Sequence, residues 1–211
     1  SIREILSKAR EKKIVIQEVD RSRWDRLSVS GAHQGIIAFV TPYEYVTVDD
    51  ILKRASDRGE DPFVIVLDRL TDPHNFGSIL RTAECCGAHG VIIPKRRAVG
   101  LTPAAIKASA GAVEFIPVAK VTNIPSILDA LKDKGLWVVG ADMKGENYTS
   151  VNLTGPIALV IGGEGSGLGR LVKEKCDFLI SIPLKGRIAS LNASVAAGIL
   201  MYEVVRQRGI G

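Results

Sequence analysis

The clearest pattern in the chain runs from Gly155 to Gly198 and reads GPIALVIGGEGSGLGRLVKEKCDFLISIPLKGRIASLNASVAAG. It contains two apolar runs, Ile157 to Ile161 and Phe178 to Ile182, each of the length of a buried strand. The first run is followed by a glycine-rich loop, Gly162 to Gly169. The second is followed by Pro183 to Ala189 and then by a long apolar helix. Two strands that end in open loops of this kind predict a ligand pocket.

The glycine loop fits neither of the two common nucleotide-binding motifs. A dinucleotide fingerprint places glycines at i, i+2 and i+5, but from Gly163 or Gly165 the third position is Leu168 or Arg170. A phosphate-binding P-loop has lysine after its last glycine, where this chain has Leu168. These spacings disfavour a flavodoxin-like nucleotide binder. A tight turn without a ligand, or a loop for a different ligand, remain as alternatives.

Strands and helices alternate from Pro62 onward. The pattern predicts strands at Phe63–Leu67, Gly90–Ile93, Phe115–Val118, Leu136–Ala141, Ile157–Ile161 and Phe178–Ile182. It predicts helices at Asn75–Cys86, Thr102–Ala110, Ile124–Lys134, Leu168–Cys176 and Ser190–Gln207. Continuous apolar strands alternating with helices predict an α/β fold, in which a parallel sheet carries helices on both faces. The carboxyl ends of the strands would then share one edge, where ligands bind.

Composition limits the class of protein. With 211 residues, 46% of them hydrophobic, the chain is long enough for a full core, as one domain or one with a small appendage. Its 3 cysteines show no CxxC or Cys/His spacing, which predicts reduced thiols, a cytoplasmic location and no metal site. It has no apolar run of the roughly 18 residues that a membrane span needs, so we expect no membrane partner. A net charge of +5 favours a polyanionic partner, although it also serves solubility.

The first 45 residues predict only part of a domain. Helix Ile2–Lys12, strand Ile14–Val19, helix Arg21–Leu27 and strand Gly35–Val40 alternate there. Because the chain starts inside a helix without a lead-in, we expect it to be part of a longer protein. Residues 46–61 contain a short predicted helix and a polar end, and we predict that they connect this unit to a domain at residues 62–211.

A third segment, Asn75 to Ala83 (NFGSILRTA), joins the glycine loop and Ser190-Leu191-Asn192 as an ordered set of three motifs. The set resembles the SpoU (TrmH-type) RNA ribose 2′-O-methyltransferases of the SPOUT superfamily, and the resemblance covers Pro62 to Arg208. The subgroup that looks most similar is the bacterial 23S rRNA guanosine 2′-O-methyltransferases of the RlmB type. The segments that carry this finer similarity are Asp72–Asn75, Val121–Asn123 and Ile182–Asn192.

The resemblance implies a C-terminal trefoil knot, part of an N-terminal RNA-binding domain at residues 1–45, and S-adenosylmethionine as the methyl donor. A flat apolar slot with backbone donors and acceptors can read its adenine, and transfer of a methyl group from a sulfonium needs no metal. The implied cofactor-binding positions are Gly140, Ala141, Gly162, Glu164, Gly167, Ile182, Leu184, Leu191 and Asn192. The resemblance also implies a homodimer through the Ser190–Gln207 helix. The alternative is a helix buried within its own monomer.

The resemblance makes Arg81 the catalytic arginine. Residues expected to assist it are Asn75, Ser190 and Asn192. A guanidinium fork can grip an RNA phosphate and align the ribose 2′-OH, although it does not readily lose its own proton. Gly77, one turn earlier, would leave room for RNA. The alternatives are a solvated Arg81 paired with Glu84, and a helix N-cap role for Ser190 or Asn192.

Other polar residues keep more than one interpretation. Lys95, Arg96 and Arg97 lie on the ligand edge of the predicted sheet, and we predict that they contact RNA. Glu164 is predicted either to bind a base edge of the substrate or only to cap the glycine loop. The histidines have no partner at metal-binding spacing and are predicted to be structural or RNA-contacting; they are His33, His74 and His89.

The sequence thus predicts an enzyme that transfers a methyl group from S-adenosylmethionine to the ribose 2′-OH of one RNA nucleotide, a guanosine of 23S rRNA. The expected partners are RNA and a second copy of the chain, with no DNA and no membrane. One alternative is a tRNA or another rRNA as the substrate. The other is a non-catalytic RNA-binding module, which would be expected to have lost Arg81 or the glycine loop; both are present.

Overall fold

A computed structural model describes residues 2–20, 35–38, 43–165 and 167–209. Contacts within the chain divide it into two compact units, Ser1–Tyr43 and Glu44–Gly211. No helix among the described residues is long and apolar enough to cross a membrane.

The first unit contains helix α1 (Ile2–Glu11), close to the predicted Ile2–Lys12. The strand predicted at Ile14–Val19 is wrong: residues 14–20 carry no strand, and Val15 is 92% exposed. An apolar segment becomes a strand only through ladder pairing, and residues 14–20 form no ladder with another described segment. Residues 35–38 likewise carry no strand. The predicted helix at Arg21–Leu27 and the end of the predicted strand at Gly35–Val40 lie outside the described residues.

The second unit is built on a six-stranded parallel sheet. Its strands are β1 (Phe63–Asp68), β2 (Gly90–Pro94), β3 (Val118–Val121), β4 (Trp137–Asn147), β5 (Ile157–Gly162) and β6 (Phe178–Ser181). Their order across the sheet is β3-β2-β1-β5-β4-β6, which confirms the predicted parallel sheet. The carboxyl ends of β1 and β5 are neighbours at the centre, and β4 and β6 lie beyond β5.

Helices cover both faces of this sheet. They are α2 (Val48–Arg58), α3 (Pro73–Cys85), α4 (Pro103–Ala108), α5 (Ile124–Asp133), α6 (Arg170–Lys175) and α7 (Ala193–Gln207). Val64 and Val66 of β1 belong to one apolar cluster with residues of α2, α5 and α6. Successive strand residues point to opposite faces, so the equally buried Ile65 and Leu67 face the layer that contains α3 and α7. The trefoil knot stays a prediction, because strand order alone does not define how the chain is threaded.

Two helices that bear on the site begin at capping residues. The Asp72 side chain accepts hydrogen bonds from backbone N–H groups in the first turn of α3, and Pro73 follows it. The helix therefore starts two residues before the predicted Asn75. Asn192 caps α7 in the same way, so this helix starts after Asn192 and not at the predicted Ser190.

The third strand begins later than predicted. The pattern predicts Phe115–Val118, whereas Ala112–Glu114 forms a short 3-10 turn and Phe115 is 65% exposed. Pro117 has no backbone N–H to donate to a ladder, and the pairing with β2 starts at Val118.

The fourth strand continues past its predicted end at Ala141. Residues 142–145 bulge out of the ladder, after which Glu146 and Asn147 pair with β6 again. Gly145 lies against the backbone of β6, where a Cβ would come within 2.4 Å of the Leu179 carbonyl group. The bulge therefore places residues 142–145, which follow the predicted end of the strand, in a defined position at the carboxyl edge of the sheet.

Residues 46–61, predicted as a connection, take part in the core of the second unit. Ile51 and Ala55 of α2 are fully buried, and Val46 forms a bridge with Ala119. Gly90 accommodates Ile51, because a Cβ at this glycine would lie 2.6 Å from the isoleucine side chain.

Helix α7 is buried on one side only. Its buried apolar residues are Ala193, Ala197, Leu200, Met201 and Val204. Val195 and Tyr202 are 50% and 53% exposed, and Ile199 between them is half-buried. Their spacing of four and three residues puts these three side chains on one stripe, called the α7 stripe below.

Candidate functional site

The glycine loop after β5 is closed too tightly for side chains at its base. Gly163 and Gly167 form a bridge in which the Gly167 N–H donates to the Gly163 carbonyl at 3.0 Å. A Cβ on Gly162 would lie 2.3 Å from the Gly167 carbonyl carbon, and one on Gly163 would lie 2.3 Å from the Arg69 carbonyl oxygen. Close backbone contacts therefore require glycine at both positions.

Asp68, the last residue of β1, and Arg69, which follows it, hold this loop from one side. The Gly169 N–H donates to Asp68 Oδ2 at 2.7 Å, and Arg69 Nη2 donates to the Gly167 carbonyl at 3.4 Å. Arg69 Nε is buried and forms an ion pair with Asp68 Oδ2. The distance of 3.5 Å between these two atoms is too long for a good hydrogen bond. Both residues were missed from the sequence. An aspartate directly after an apolar strand is the signal that would have pointed to them.

Three segments that are distant in sequence meet in one hydrogen-bonded cluster at the carboxyl edge of the sheet. Asn75 Nδ2, in the first turn of α3, donates to the Glu164 carboxylate in the glycine loop. Asn192 Nδ2 donates to Asn75 Oδ1 at 2.9 Å and to Glu164 Oε1 at 3.3 Å. Each of the three motifs thus supplies one member of what we call the Asn75–Glu164–Asn192 cluster.

The N-cap interpretation is confirmed for Asn192. Its Oδ1 accepts from the backbone N–H groups of Ser194 and Val195 at 3.0 and 3.3 Å, while its Nδ2 serves the cluster. One side chain therefore both starts α7 and ties it to α3. Ser190 lies two residues before the cap and faces a cleft described below.

Helices α3 and α7 run side by side in the same direction from this cluster. Gly198 lies opposite Thr82, since a Cβ on the glycine would be 3.8 Å from Thr82 Cγ2. Farther along, Tyr202 lies close enough to Cys86 to interact with its thiol. The amino termini of both helices therefore meet near Glu164. Because helix amino termini carry partial positive charge, this is a favourable place for a carboxylate.

A cleft of about 640 Å³ opens beside the cluster, with a smaller pocket of about 130 Å³ next to it. The cleft is lined by the glycine loop, by polar residues of the β4 bulge and by polar residues just before α7. The smaller pocket is mostly apolar, and its aliphatic lining consists of Ile180, Ile182, Leu184, Leu191 and Leu200. Such a pair of cavities offers one small molecule an apolar slot and a wider cleft with charged side chains in its wall.

The predicted cofactor-binding positions gather around these two cavities. The cleft is lined by Ala141, Gly162, Glu164, Gly167, Leu191 and Asn192, and the smaller pocket adds Ile182 and Leu184. Gly140 is packed inside the sheet instead, where a Cβ would lie 2.6 Å from Cys176 Sγ. Ser190 lines both cavities. Asn75 is buried behind the cleft and reaches it through its bonds to Glu164 and Asn192.

An ion pair that was not singled out from the sequence lies in the wall of the cleft. Asp142, in the β4 bulge, pairs with Lys173 of α6, and its Oδ1 accepts the Lys144 N–H at 3.0 Å. Burial works to raise the pKa of Asp142, but the hydrogen bonds from Lys173 and Lys144 outweigh it and hold the pKa below its usual range. The carboxylate is therefore charged at neutral pH. Within the described residues, no group of three or more His, Cys, Asp or Glu side chains could hold a metal ion.

Arg81 lies on the outer side of α3. It is exposed and makes no hydrogen bond or ion pair with a described residue, Glu84 included. It follows Asn75 by six residues, which is about 9 Å along the helix axis. The expected open space at Gly77 is wrong, because α4 packs there and a Cβ would lie 2.5 Å from the Ala105 carbonyl oxygen.

The predicted RNA-contacting residues Lys95, Arg96 and Arg97 follow β2 and are exposed. Since β2 and β5 are two strands apart, this basic loop lies about 10 Å along the sheet edge from the glycine loop. Farther along the edge, the Lys120 ammonium lies 4.0 Å from the centre of the Tyr45 ring. The basic loop and the cleft therefore share the carboxyl edge of the sheet.

A sequence model described as the SpoU rRNA Methylase family matches residues 62–202, which contain every member of the cluster and every residue that lines the cleft. The chain belongs to the SpoU rRNA methylase family. A second model, described as RNA 2'-O ribose methyltransferase substrate binding, matches residues 1–46.

Relatives of this SpoU family member are similar over most of its length. The TrmH family protein YacO of Bacillus subtilis (strain 168), named as a candidate tRNA/rRNA methyltransferase, is 54% identical over 97% of this chain and 82% of its own. The SpoU methyltransferase AviRb of Streptomyces viridochromogenes, solved with the cofactor AdoMet, is 34% identical with a TM-score of 0.67, over 72% of this chain and 62% of AviRb. An AdoMet-bound rRNA methyltransferase of Sinorhizobium meliloti is 25% identical with a TM-score of 0.75, over 97% and 77%.

Proposed function

We propose that this protein transfers a methyl group from S-adenosylmethionine to the ribose 2′-OH of one nucleotide in RNA, a guanosine of 23S rRNA. The observation that carries the proposal is the Asn75–Glu164–Asn192 cluster, which joins all three motifs beside a cleft that can hold a small molecule. Membership of the SpoU family supports the same activity. A substrate-binding match at residues 1–46 supports RNA as the substrate.

The two cavities fit S-adenosylmethionine. Their volumes of about 640 and 130 Å³ are in keeping with the hundreds of Å³ of small-molecule sites. The apolar pocket suits an adenine ring. In the cleft a ligand can approach the backbone of the glycine loop, because the space beside Gly165 and Gly167 is open: a Cβ there would meet nothing within 4 Å. The residues that would hold the cofactor are the predicted positions around these cavities. When bound, it supplies a methyl group on a sulfonium, which is already activated for transfer.

The chain's own residues then have to bind and orient the RNA. Arg81 is free to grip a backbone phosphate with its guanidinium fork and to align the ribose 2′-OH. Because a guanidinium keeps its proton at neutral pH, Arg81 positions the hydroxyl and does not deprotonate it. Ser190 presents a hydroxyl to the cleft, and the cluster keeps α3, α7 and the glycine loop in register. The basic loop Lys95–Arg97 contacts phosphates farther along the RNA.

We further propose a cytoplasmic homodimer. In the isolated chain the α7 stripe leaves Val195 and Tyr202 half exposed, although α7 lies directly beside the site. A second copy of the chain covers this stripe and so comes next to Arg81, whose neighbour Thr82 lies against Gly198. DNA is not a substrate, because it lacks the 2′-OH that accepts the methyl group.

A tRNA or another rRNA is the second candidate substrate, since the name of YacO covers both tRNA and rRNA. The two candidates are separated by mapping 2′-O-methylation in total RNA from cells with and without the gene. We expect one guanosine of 23S rRNA to lose its methyl group and the tRNA pattern to stay unchanged. The loss of a tRNA methyl group would replace the rRNA assignment. An unchanged map, together with no methyl transfer by the purified protein, would favour the non-catalytic RNA-binding module.

A further inference from the structure

The apolar pocket and the cleft meet at a shared wall. The residues that line both cavities are Ala141, Asp142, Met143, Ser190, Leu191 and Ala196. Asp142 is the charged member of this set. Its side chain is 9% exposed and is held by the Lys173 ammonium and the Lys144 N–H. A nearly buried carboxylate therefore lies where the apolar slot meets the wider cleft, whose lining adds the charged side chains of Lys144, Glu164 and Lys173.

The order of the chemical groups along the cofactor matches the order of the two cavities. In S-adenosylmethionine the ribose joins the adenine to the charged amino-acid part. If the adenine occupies the apolar pocket and the amino-acid part lies near the charged side chains of the cleft, the ribose must lie where the two cavities meet. The two neighbouring hydroxyls of a ribose are donors, and a carboxylate is an acceptor that can receive both.

Resting on the proposed function, we propose that Asp142 binds the two ribose hydroxyls of S-adenosylmethionine and that Lys173 positions the Asp142 carboxylate. Asp142 has acceptor capacity left, because its two oxygens offer about four lone-pair sites, and the described contacts are one from the Lys173 ammonium and one from the Lys144 N–H. The β4 bulge brings it to the junction, since a strand that stayed in register would keep residue 142 in the ladder with β6. Lys173, on α6, also lines the cleft and anchors the carboxylate there.

A purely structural role for Asp142 is the competing explanation. Its bonds to Lys144 and Lys173 could serve only to shape the bulge and to attach α6. Such a role would change the affinity of every ligand of the cleft by the same factor. A hydroxyl-binding role changes the affinity only of ligands that carry the hydroxyls, which a second ligand can reveal.

The test is calorimetric binding of S-adenosylhomocysteine and of its 2′,3′-dideoxyribose analogue to the wild type and to Asp142→Asn. For the wild type we expect the dideoxy analogue to bind about 10-fold to 100-fold more weakly, as the loss of hydrogen bonds to a charged acceptor implies. For Asp142→Asn we expect this ratio to fall to within a few-fold. Asp129→Asn is the matched control, because Asp129 is ion-paired with Lys175 outside the cleft, at 2.7 Å, and should keep the wild-type ratio.

Two outcomes would overturn the proposal while leaving the proposed function intact. One is equal affinity of the wild type for both ligands. This outcome is measured on the wild type alone and does not depend on whether the variant folds. The other is an Asp142→Asn protein that binds both ligands more weakly by the same factor. If the wild type binds neither ligand, the proposed cofactor itself is wrong, and the role of Asp142 fails with it.

Discussion

At the scale of single residues, the site depends on an amide group whose oxygen and nitrogen both form hydrogen bonds. Asn192 caps α7 with its amide oxygen and bonds Asn75 and Glu164 with its amide nitrogen. Its orientation is fixed, because rotating the amide would lose the cap and the cluster together. Arg81 is the opposite case. It has no partner among the described residues, so its guanidinium is available to a ligand.

We expect Arg81→Ala to lower single-turnover methyl transfer by orders of magnitude and to leave cofactor affinity almost unchanged. The physical reason is that Arg81 is exposed on α3 and lines neither cavity, so its loss removes alignment of the RNA and not the donor site. Arg81→Lys should not restore the rate, because a point charge cannot replace a planar two-pronged grip on phosphate. Arg96→Ala, another exposed arginine, is the control and should affect mainly RNA affinity. Methyl transfer at the wild-type rate by Arg81→Ala would remove this residue from the mechanism.

His89 provides a prediction of pH dependence. Its Nδ1 accepts the Phe63 N–H at 3.0 Å, and its Nε2 contacts Glu60 Oε2 at 2.9 Å. Burial lowers the pKa of His89, although Glu60 works in the opposite direction. The neutral imidazole is therefore favoured in the fold. Stability from this residue is fully present above the ordinary pKa of about 6.5 and is lost as the pH falls from there through the lowered value.

Urea unfolding between pH 5 and 7.5 tests this dependence. In His89→Asn the amide oxygen can still accept the Phe63 N–H and cannot titrate, so we expect a smaller loss of stability at low pH than in the wild type. His74→Asn, at an exposed position, is the control and should keep the wild-type slope. An equal slope in His89→Asn and the wild type would contradict the assignment.

At the scale of elements, close helix packing and a strand bulge determine what the site can contact. Gly77 lets α4 pack directly on α3, which closes the space that the sequence suggested for RNA. The β4 bulge makes the residues after the predicted end of the strand a fixed wall of the cleft and brings Asp142 to it. Both features arise from contacts between elements, whereas each element taken alone has an ordinary pattern.

We expect Gly77→Ala to destabilise the protein by up to about 2 kcal/mol. Overpacking costs about 1–3 kcal/mol, and here the obstructing atom is the Ala105 carbonyl oxygen, 2.5 Å from the new Cβ, which cannot move like a side chain. The gain in helix propensity is smaller, about 1 kcal/mol. Gly198→Ala is the matched control, because the nearest atom to its Cβ is 3.8 Å away and propensity should prevail. Denaturant unfolding of both variants checks the two signs, and a stable Gly77→Ala protein would reject the packing argument.

At the scale of the whole molecule, the two helices that start at the site also form its open flank. The α7 stripe leaves apolar side chains half exposed on the helix that packs against α3, the helix that carries Arg81. The opposite side of α7 is buried in the core. A second copy of the chain that binds to this stripe lies close to the helix of the residue proposed to orient RNA. Dimer formation therefore affects activity directly.

We expect the wild type to sediment as a dimer at micromolar concentration and Val195→Glu to sediment as a monomer. The variant places a charge in the α7 stripe, where association would have to bury it. Leu171→Glu is the matched control: Leu171 on α6 is 53% exposed, close to the 50% of Val195, and should leave the dimer intact. A monomeric wild type would reject the dimer.

The sequence by itself determined the architecture of the second unit, because apolar periodicity and capping residues are local properties that the chain carries with it. Six strands, the helices between them and the common edge of their loops follow from these patterns. The same local reasoning failed at residues 14–19 and at β3, where ladder partners decide whether an apolar segment becomes a strand.

Only the tertiary structure decided which loops touch. Asn75, Glu164 and Asn192 are separated by as many as 117 positions, and no spacing rule places them within hydrogen-bonding distance. The bulge that carries Asp142, the packing of α4 on Gly77 and the uncovered side of α7 likewise result from long-range packing. Such contacts depend on shape and volume summed over distant segments, which is why a pattern in one stretch of sequence does not contain them.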